Sequence, residues 1–334
     1  MPSFSLFLRY GCLTVDSSGC IITAMDKVLA RNSEENRQVV GRFAPSPTGP
    51  LHFGTLVAAL GSYLLAAHCG GRWLLRVEDL DPPRVIAGSA DDMLRLLEQL
   101  GFEWDGDVVY QSHRSERYRQ VLDQLRSRGQ VFDCNCTRRE ILASAPHPGE
   151  EGMVYPGTCR DGMKGGRSER AVRLRVTDDV ICYHDGIFAD QSQNLEREVG
   201  DFVLHRSDGL FAYQLAVVVD DIDSGVTQVV RGADLLSSTP RQIYLYRCLN
   251  EAVPEYYHLP LAFGENGKKL SKRNGDFGVV TVENGAQMLW RALDFLGQQP
   301  PAELSATLPA ELLCWGRNNF SVAAIPAENR QVEF

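Results

Sequence analysis

One stretch of the sequence decides the fold, Gly41-Arg42-Phe43-Ala44-Pro45-Ser46-Pro47-Thr48-Gly49-Pro50-Leu51-His52-Phe53-Gly54. The apolar pair Val39-Val40 precedes it and the segment Thr55-Leu56-Val57-Ala58-Ala59-Leu60 follows it, which predicts a strand, a proline-stiffened turn and a helix. The first turn of a helix offers unpaired N–H groups and about half a positive charge, and Gly54 lets a phosphate approach the backbone closely. His52 adds a donor there. The stretch therefore predicts a phosphate site.

A second motif, Lys269-Leu270-Ser271-Lys272-Arg273, lies more than two hundred residues later. Lysines on a mobile loop can neutralise charge as a phosphoryl oxygen leaves. Judged alone, each motif has an ordinary explanation, a histidine that caps a helix or a solvated turn before Asn274-Gly275. Their order favours function, because open α/β sheets bind ligands at the first strand-to-helix crossing and the second half of the fold comes late.

Length and composition fit a protein of two or three compact units. The chain has 334 residues, 44% of them hydrophobic, and no apolar run approaches the ~20 residues that span a bilayer. Nine cysteines without the spacing of a small disulfide-rich domain argue for reduced thiols, some of which can bind metal. We expect a cytoplasmic monomer without membrane association.

Charge is spread unevenly along the chain. The net charge is −9, yet residues 111–176 carry thirteen lysines and arginines against eight aspartates and glutamates. A basic region on an acidic body can engage a phosphate backbone without binding nucleic acid indiscriminately. An ordinary solvated surface explains the same charges equally well.

The first part of the chain predicts an extension and then half of an α/β fold. Residues 1–38 lack sustained periodicity, so we expect a poorly ordered N-terminal extension, with Met25 as an alternative start. Residues 39–110 alternate strands at 39–44 and 73–77 with helices at 51–68 and 89–100, the first helix ending at Gly70-Gly71. This alternation is the first half of a Rossmann-type catalytic domain with a parallel sheet.

The rest of the chain predicts an insertion, a second half-domain and a small C-terminal subdomain. Residues 111–190 hold a helix at 115–128 and a stretch rich in Gly, Pro and Cys, which indicates an inserted module with its own staple. Residues 191–250 form the second half of the catalytic domain. Residues 251–334 carry the lysine motif and a mostly helical, stem-contact-like subdomain. The expected elements are strands at 171–176, 181–183, 211–219 and 227–230, and helices at 240–249, 287–296 and 310–315.

Further segments strengthen the two motifs: Arg76-Val77-Glu78-Asp79-Leu80-Asp81-Pro82-Pro83-Arg84, Tyr213-Gln214-Leu215-Ala216-Val217-Val218-Val219-Asp220-Asp221 and Val230-Arg231-Gly232-Ala233-Asp234-Leu235-Leu236. With them, the chain from about Val39 to Arg273 resembles the glutamyl class of class I aminoacyl-tRNA synthetases. Within that class it most resembles the short branch that modifies an anticodon. The resemblance implies ATP and L-glutamate as substrates and transfer of activated glutamate to the queuosine base of tRNA(Asp).

The resemblance also implies a glutamate pocket. Arg42, Phe43, Ala44, Pro45 and Ser46 would lie along the amino acid, with Arg42 paired to a carboxylate. Glu78 would hold the substrate ammonium, and Tyr213 with Arg231 would complete the pocket. The residues themselves leave alternatives open, because Tyr213 can simply pack, and buried arginines need either acidic partners or an anionic ligand.

The predicted ATP site comprises His52, Gly54, Thr55, Lys269, Ser271 and Lys272. His52 and Lys272 are the catalytic candidates, since a carboxylate attacking the α-phosphate needs its developing charge stabilised. Thr55 stands where the class pattern has a second histidine, which puts its phosphate contact in doubt. We expect Mg²⁺ to arrive with ATP. The run Asp220-Asp221-Ile222-Asp223 fits solvated loops or local hydrogen-bond anchors better than a magnesium site.

Cys134-Asn135-Cys136 and Cys159 suggest a structural zinc ion, one per chain. Three cysteines so close together need a fourth ligand, for which the residues leave His147 and His184 open beside Tyr155. Three buried thiols without metal are the alternative. The resemblance implies that the phenolic oxygen of Tyr155 completes three thiolates.

Three other activities are compatible with parts of the sequence. An ordinary glutamyl-tRNA synthetase would charge the 3′ end of its tRNA, but only 61 residues follow Arg273, which we expect to be too few for its anticodon-binding region. A catalytically silent RNA-binding relative would not need the complete set of site residues. A small-molecule nucleotidyltransferase of the same superfold would not need Glu78, Tyr213 and Arg231.

Overall fold

The computed structural model describes residues 38–144, 148–149, 152–163, 166–264 and 278–332, together with two short strands at 14–15 and 21–22. Met1–Arg37 is one compact unit, in which β1 (Thr14–Val15) pairs antiparallel with β2 (Ile21–Ile22). Gln38–Phe334 is the other. The predicted disorder of the N-terminal extension and the start at Met25 lie outside the described residues.

The strand, turn and helix predicted around the first motif are confirmed. They are β3 (Val40–Phe43) and α1 (Phe53–His68), followed by β4 (Arg72–Val77) parallel to β3. Helix α1 ends at the predicted glycines, because Gly70 takes a φ of 61° and the N–H of Gly71 donates to the carbonyl of Ala66 at 2.9 Å.

The remaining helices are α2 (Ser89–Gln99), α3 (Ser115–Ser127), α4 (Arg138–Ser144), α5 (Leu195–Glu198), α6 (Tyr213–Asp223), α7 (Thr239–Leu249), α8 (Gly285–Phe295) and α9 (Pro309–Asn319). The remaining strands are β5 (Val109–Tyr110), β6 (Val131–Cys134), β7 (Pro148–Gly149), β8 (Gly152–Met153), β9 (Ala171–Leu174), β10 (Val180–Asp185), β11 (Ala189–Asn194), β12 (Val203–His205), β13 (Gln228–Gly232), β14 (Glu255–Leu259), β15 (Ala262–Phe263) and β16 (Arg330–Gln331).

The main sheet has seven strands in the order β11-β10-β14-β13-β3-β4-β5. Its neighbours are parallel except for the edge strand β11, which is antiparallel to β10. The chain builds outward from β3 on one side and later from β13 on the other, so the switch in strand order lies between β3 and β13. This is a Rossmann-like α/β sheet, and its ligand crevice is expected at the carboxyl ends of these two strands.

Helices cover both faces of this sheet, because successive residues of each strand point to opposite sides. On β13, Val230 packs in the core that contains α1, α8 and α9, whereas its neighbour Val229 packs in the core that contains α3, α6 and α7. The C-terminal helices predicted at 287–296 and 310–315 are therefore present, and they share a core with the first half of the fold. None of the helices described here is both long and apolar enough to cross a bilayer.

A second sheet of three antiparallel strands, in the order β12-β9-β6, lies outside the main sheet. The segment predicted as an inserted module, 111–190, supplies β6 and β9 to this small sheet and β10 to the main sheet. The small sheet takes its third strand, β12, from the segment assigned to the second half-domain.

The strand predicted at 211–219 is wrong, because this segment forms helix α6. Its valines favour strands. In a segment that is apolar at nearly every position, no repeat of polar residues distinguishes a buried strand from a buried helix. Packing decides the matter, since residues 214–221 are all buried between α3, α7 and the sheet. Tyr213 therefore begins a helix, and Asp220 and Asp221 are buried two turns further along it.

Candidate active site and metal centre

Every predicted substrate-binding residue that the structure describes lines a single cavity of about 1060 Å³ at the carboxyl ends of β3 and β13. These residues are Arg42, Phe43, Ala44, Pro45, Ser46, His52, Gly54, Thr55, Glu78, Tyr213 and Arg231. Lys269, Ser271 and Lys272 lie outside the described residues.

A buried ion-pair cluster holds Arg42, one of the residues that line this cavity. Asp221 accepts from Arg42 Nε at 3.2 Å and from Arg76 Nη1 at 2.6 Å, and all three residues are at most 5% exposed. Burial alone would raise the pKa of Asp221, but Arg42 and Arg76 outweigh it and hold that pKa below the usual range. Arg42 therefore has a buried acidic partner, one of the two explanations that the sequence left open.

Glu78 follows β4 and faces the cavity beside this cluster. Its side chain is 11% exposed, and Arg76 Nη2 approaches its Oε1 at 3.3 Å. Burial raises the pKa of Glu78 even though Arg76 and Arg42 oppose the rise. Arg42 and Arg76 are thus balanced by Asp221 and Glu78, and a carboxylate at the cavity surface can accept a cation from solution.

Asp220 is buried on the same helix and anchors neighbouring elements instead of the cavity. It accepts from Arg114 Nε at 2.6 Å, from Gln111 Nε2 at 2.7 Å and from Tyr118 Oη at 2.8 Å. The acidic run Asp220-Asp221-Ile222-Asp223 therefore ends helix α6 and is not a solvated loop. Its two buried carboxylates are hydrogen-bond anchors, as the second explanation from the sequence required.

Arg231 and Tyr213 form the opposite wall. Arg231 is 5% exposed, and its Nη1 donates to Gln242 Oε1 at 2.8 Å and to the Tyr213 hydroxyl at 3.4 Å. Both of these partners are neutral, so this part of the wall carries a positive charge. Tyr213 does more than pack, since it lines the cavity and its hydroxyl accepts a hydrogen bond from Arg231.

The start of α1 forms another part of the wall. His52 is the N-cap residue, and the Phe53 N–H donates to the carbonyl of Gly278 at 2.7 Å. A Cβ placed on Gly54 would meet no protein atom within 4 Å, so the glycine opens the cavity towards the helix backbone. Because Phe53 is already engaged, any phosphate here would use later N–H groups of the first turn.

The predicted metal ligands also converge. The Sγ atoms of Cys134, Cys136 and Cys159 lie within 4.8 Å of one another, and Cys136 and Cys159 are 3.5 Å apart. The Tyr155 hydroxyl lies 3.3 Å from Cys134 Sγ. A tetrahedral Zn²⁺ with bonds of about 2.3 Å would set its sulfur atoms roughly 3.8 Å apart, so this donor set fits zinc.

Of the alternative fourth ligands, His147 lies outside the described residues and His184 is not at the cluster. The His184 side chain is 71% exposed and pairs with Asp190. The expectation of reduced thiols holds for Cys69, Cys134, Cys136, Cys159, Cys248 and Cys314. It is wrong for Cys182, which is disulfide-bonded.

Sequence reasoning missed Arg76 and Asp221 as the residues that hold Arg42 and Glu78 in place. Both lay within quoted motifs, and a charge inside a buried strand such as β4 always requires a partner. The partner could not be chosen from the sequence, because Asp221 reaches Arg42 and Arg76 from a helix, whereas the sequence predicted a strand ending at residue 219.

Comparisons with known proteins agree with this geometry. Residues 38–302 match the family model of class I tRNA synthetases (E and Q), catalytic domain. A glutamyl-Q tRNA(Asp) synthetase of Geobacter sulfurreducens is 52% identical over 294 residues, covering 86% of this chain and 94% of the relative. One from Dechloromonas aromatica is 52% identical over 290 residues, covering 86% and 96%.

Among solved structures, a glutamate tRNA ligase from Elizabethkingia meningosepticum in complex with its amino acid superposes with a TM-score of 0.71. It is 25% identical, and the match covers 89% of this chain and 67% of that chain. The chain therefore belongs to the class I tRNA synthetases of the E and Q family, a family of ligases, and within it to the glutamyl-Q tRNA(Asp) synthetases.

Proposed function

We propose that this protein activates L-glutamate with ATP in the absence of tRNA and then transfers the glutamyl group to the queuosine base in the anticodon of tRNA(Asp). The observation that carries the proposal is the single cavity that joins the start of α1 to Glu78 and Arg231. Such a cavity can hold a nucleotide phosphate and an amino acid side by side.

Charges in the cavity suit glutamate. Glu78 would take the ammonium group, and the positive wall at Arg231 and Tyr213 would take a carboxylate. Arg42 would contribute its positive field, since its Nε and Nη1 are already bound by Asp221 and by the Val230 carbonyl. Residues 43–46 would lie along the amino acid.

In the activation step, an oxygen of the glutamate α-carboxylate attacks the α-phosphorus of ATP. The bond from that phosphorus to its bridging oxygen breaks, and pyrophosphate leaves with the electron pair. His52 and Lys272 would stabilise the charge on the pentacoordinate phosphorus, while Gly54, Thr55, Lys269 and Ser271 hold the nucleotide. Mg²⁺ bound with ATP neutralises phosphate charge.

The position of the lysine motif in the chain supports this role. Ala262, which precedes the motif in the sequence, lines the cavity, and the carbonyl of Gly278, which follows the motif, accepts from the Phe53 N–H beside His52. Lys272 is six residues from Gly278, a distance of at most ~20 Å for an extended chain. Lys272 can therefore reach the cavity.

We further propose that Cys134, Cys136, Tyr155 and Cys159 bind one structural Zn²⁺, which ties the small sheet to the segment that follows β8. A closed shell of four protein ligands leaves no position for substrate. The C-terminal helices would serve as a stem-contact-like subdomain.

The acceptor is tested with tRNA(Asp) that contains or lacks queuosine, incubated with labelled glutamate, ATP and the protein. Label should appear only on the queuosine-containing tRNA and should survive ribonuclease removal of its terminal adenosine. The likeness to a glutamate tRNA ligase makes 3′-end charging the second candidate. Label that is lost with the terminal adenosine would establish 3′-end charging and contradict the proposal.

A further inference from the structure

Arg231, which lines the cavity, is hydrogen-bonded to a series of buried polar groups on neighbouring strands. Arg231 on β13 lies directly beside His258 on β14, and β10 follows with Asp185. Arg231 Nε lies 3.0 Å from His258 Nε2, and His258 Nδ1 lies 2.6 Å from Asp185 Oδ2. Both His258 and Asp185 are 0% exposed. Three adjacent strands thus connect the cavity wall to a carboxylate that never meets solvent.

The direction of each hydrogen bond in this chain is fixed. Asp185 Oδ1 accepts the N–H groups of Ile187 at 3.0 Å and Phe188 at 2.8 Å. Burial would raise the pKa of Asp185, but these bonds and the one from His258 outweigh it and lower that pKa, so the group is a carboxylate. Its Oδ2 accepts the hydrogen bond that His258 Nδ1–H donates. The other ring nitrogen, Nε2, then holds a lone pair and accepts from Arg231.

Burial keeps His258 neutral, since it lowers the pKa of the imidazole more than Asp185 raises it, and Arg231 lowers it further. Asp185 is the one carboxylate in the hydrogen-bonded series Asp185–His258–Arg231, and an uncharged imidazole ring separates it from Arg231. Arg231 keeps its positive charge for whatever enters the cavity.

All five N–H groups of Arg231 donate to neutral acceptors. Besides His258, they reach Gln242 and Thr239, both at 2.8 Å, and more distantly Leu235 O at 3.3 Å and the Tyr213 hydroxyl at 3.4 Å. The short bonds fix the plane of the guanidinium. The bond to Tyr213, which is long and faces the cavity, is the one that an incoming carboxylate can replace at least cost.

We propose that His258 is a positioning residue for the amino acid substrate: the Asp185–His258–Arg231 chain fixes the guanidinium of Arg231 in the orientation that receives a carboxylate of glutamate. This inference rests on the proposed function, in which Arg231 binds glutamate. It adds two residues that touch neither substrate and that act only through Arg231. Nothing in it concerns ATP, so an effect confined to glutamate distinguishes it from a general loss of structure.

Two substitutions test the two ring nitrogens of His258 separately. His258→Asn keeps a donor near Nδ1 for Asp185 and removes the acceptor for Arg231, whereas His258→Gln keeps an acceptor near Nε2. In glutamate-dependent exchange between ATP and pyrophosphate, His258→Asn should raise the KM for glutamate about tenfold or more, the usual cost of a lost bond to a charged group. The kcat and the KM for ATP should stay within roughly twofold, and His258→Gln should recover most of the loss.

Tyr256→Phe is the matched control. Tyr256 lies two residues earlier on β14, and its buried hydroxyl has no hydrogen-bond partner in the described part of the chain. This variant should leave the KM for glutamate unchanged. Equal KM values for glutamate in wild type and His258→Asn would overturn the inference, as would equal increases for glutamate and ATP.

A measurement on the unmodified protein covers the case in which a variant does not fold. Nitrogen-15 NMR of labelled histidine should show His258, assigned in the unmodified protein by selective labelling of the unique His258-Leu259 pair, as a neutral ring protonated at Nδ1. A proton at Nε2, or a doubly protonated ring, would overturn the inference. Failure of the proposed function looks different, because wild-type protein would then show no glutamate-dependent exchange while the NMR result could still hold.

Discussion

Asp221→Asn is expected to destabilise the protein by about 3–5 kcal/mol, the cost of removing one partner from a buried ion pair. Asp221 is 1% exposed and binds two arginines that are each 3% exposed, Arg42 and Arg76. Asparagine has nearly the same volume, so the loss is electrostatic and leaves two buried cations with Glu78 and, at 3.8 Å from Arg76, Asp220. With an unfolding entropy of ~2.1 cal/mol/K per residue over about 300 residues, this loss lowers Tm by roughly 5–8 °C.

The control is Asp208→Asn, which removes the same charge from an exposed pair with Arg206, 49% and 41% exposed. Exposed pairs contribute at most about 1 kcal/mol, so Tm should fall by less than ~2 °C. Thermal unfolding followed by circular dichroism at neutral pH compares the two variants.

The pH dependence of this difference has a definite sign. Because the folded-state pKa of Asp221 is depressed, its contribution is present above the unfolded pKa and is lost as pH falls through the folded one. Wild type and Asp221→Asn should therefore converge in acid. Equal Tm shifts for the Asp221 and Asp208 variants at neutral pH would refute the buried-cluster reasoning.

Three further predictions concern substrate, metal and the lysine motif. The substrate ammonium needs the ionised carboxylate of Glu78, and burial raises the pKa of that group. The KM for glutamate should therefore rise as pH falls, and it should begin to rise at a higher pH than an ordinary glutamate side chain would cause. Glu78→Gln should have a raised KM for glutamate that does not change across this pH range. Cys136→Ser should lose stoichiometric zinc, measured by metal analysis, and lower Tm, whereas Cys314→Ser, at an exposed free thiol, should change neither. Lys272→Ala should lower the rate of exchange by about 100-fold or more with glutamate binding nearly intact. The control is Lys268→Ala, at the lysine directly before the motif, which should not lower the rate; an equal loss of exchange and of glutamate binding in Lys272→Ala would contradict its role.

The parts of the fold that the sequence predicts are those with local signals. Prolines at 45, 47 and 50 and the glycines at 70 and 71 mark the turn and the helix end independently of the rest of the chain. The segment at 211–219 carries no such mark, because residues 214–219 are all buried, and its intrinsic preference for strand is overridden by packing.

The site divides in the same way. The predicted substrate-binding residues of the cavity could be named from the sequence, whereas their partners could not be paired in advance. Asp221 is 179 residues from Arg42, and His258 reaches Arg231 across two strands. Likewise the three cysteines were evident, but only the folded chain brings the Tyr155 hydroxyl to Cys134 and leaves His184 exposed.

The central claim is that this cavity activates glutamate by itself. The most direct measurement is incorporation of labelled pyrophosphate into ATP by folded, zinc-loaded protein without any tRNA. The account predicts incorporation that depends on L-glutamate and is not supported by L-glutamine, because Arg231 presents a positive charge with neutral partners. No exchange with glutamate, or equal exchange with both amino acids, would contradict it.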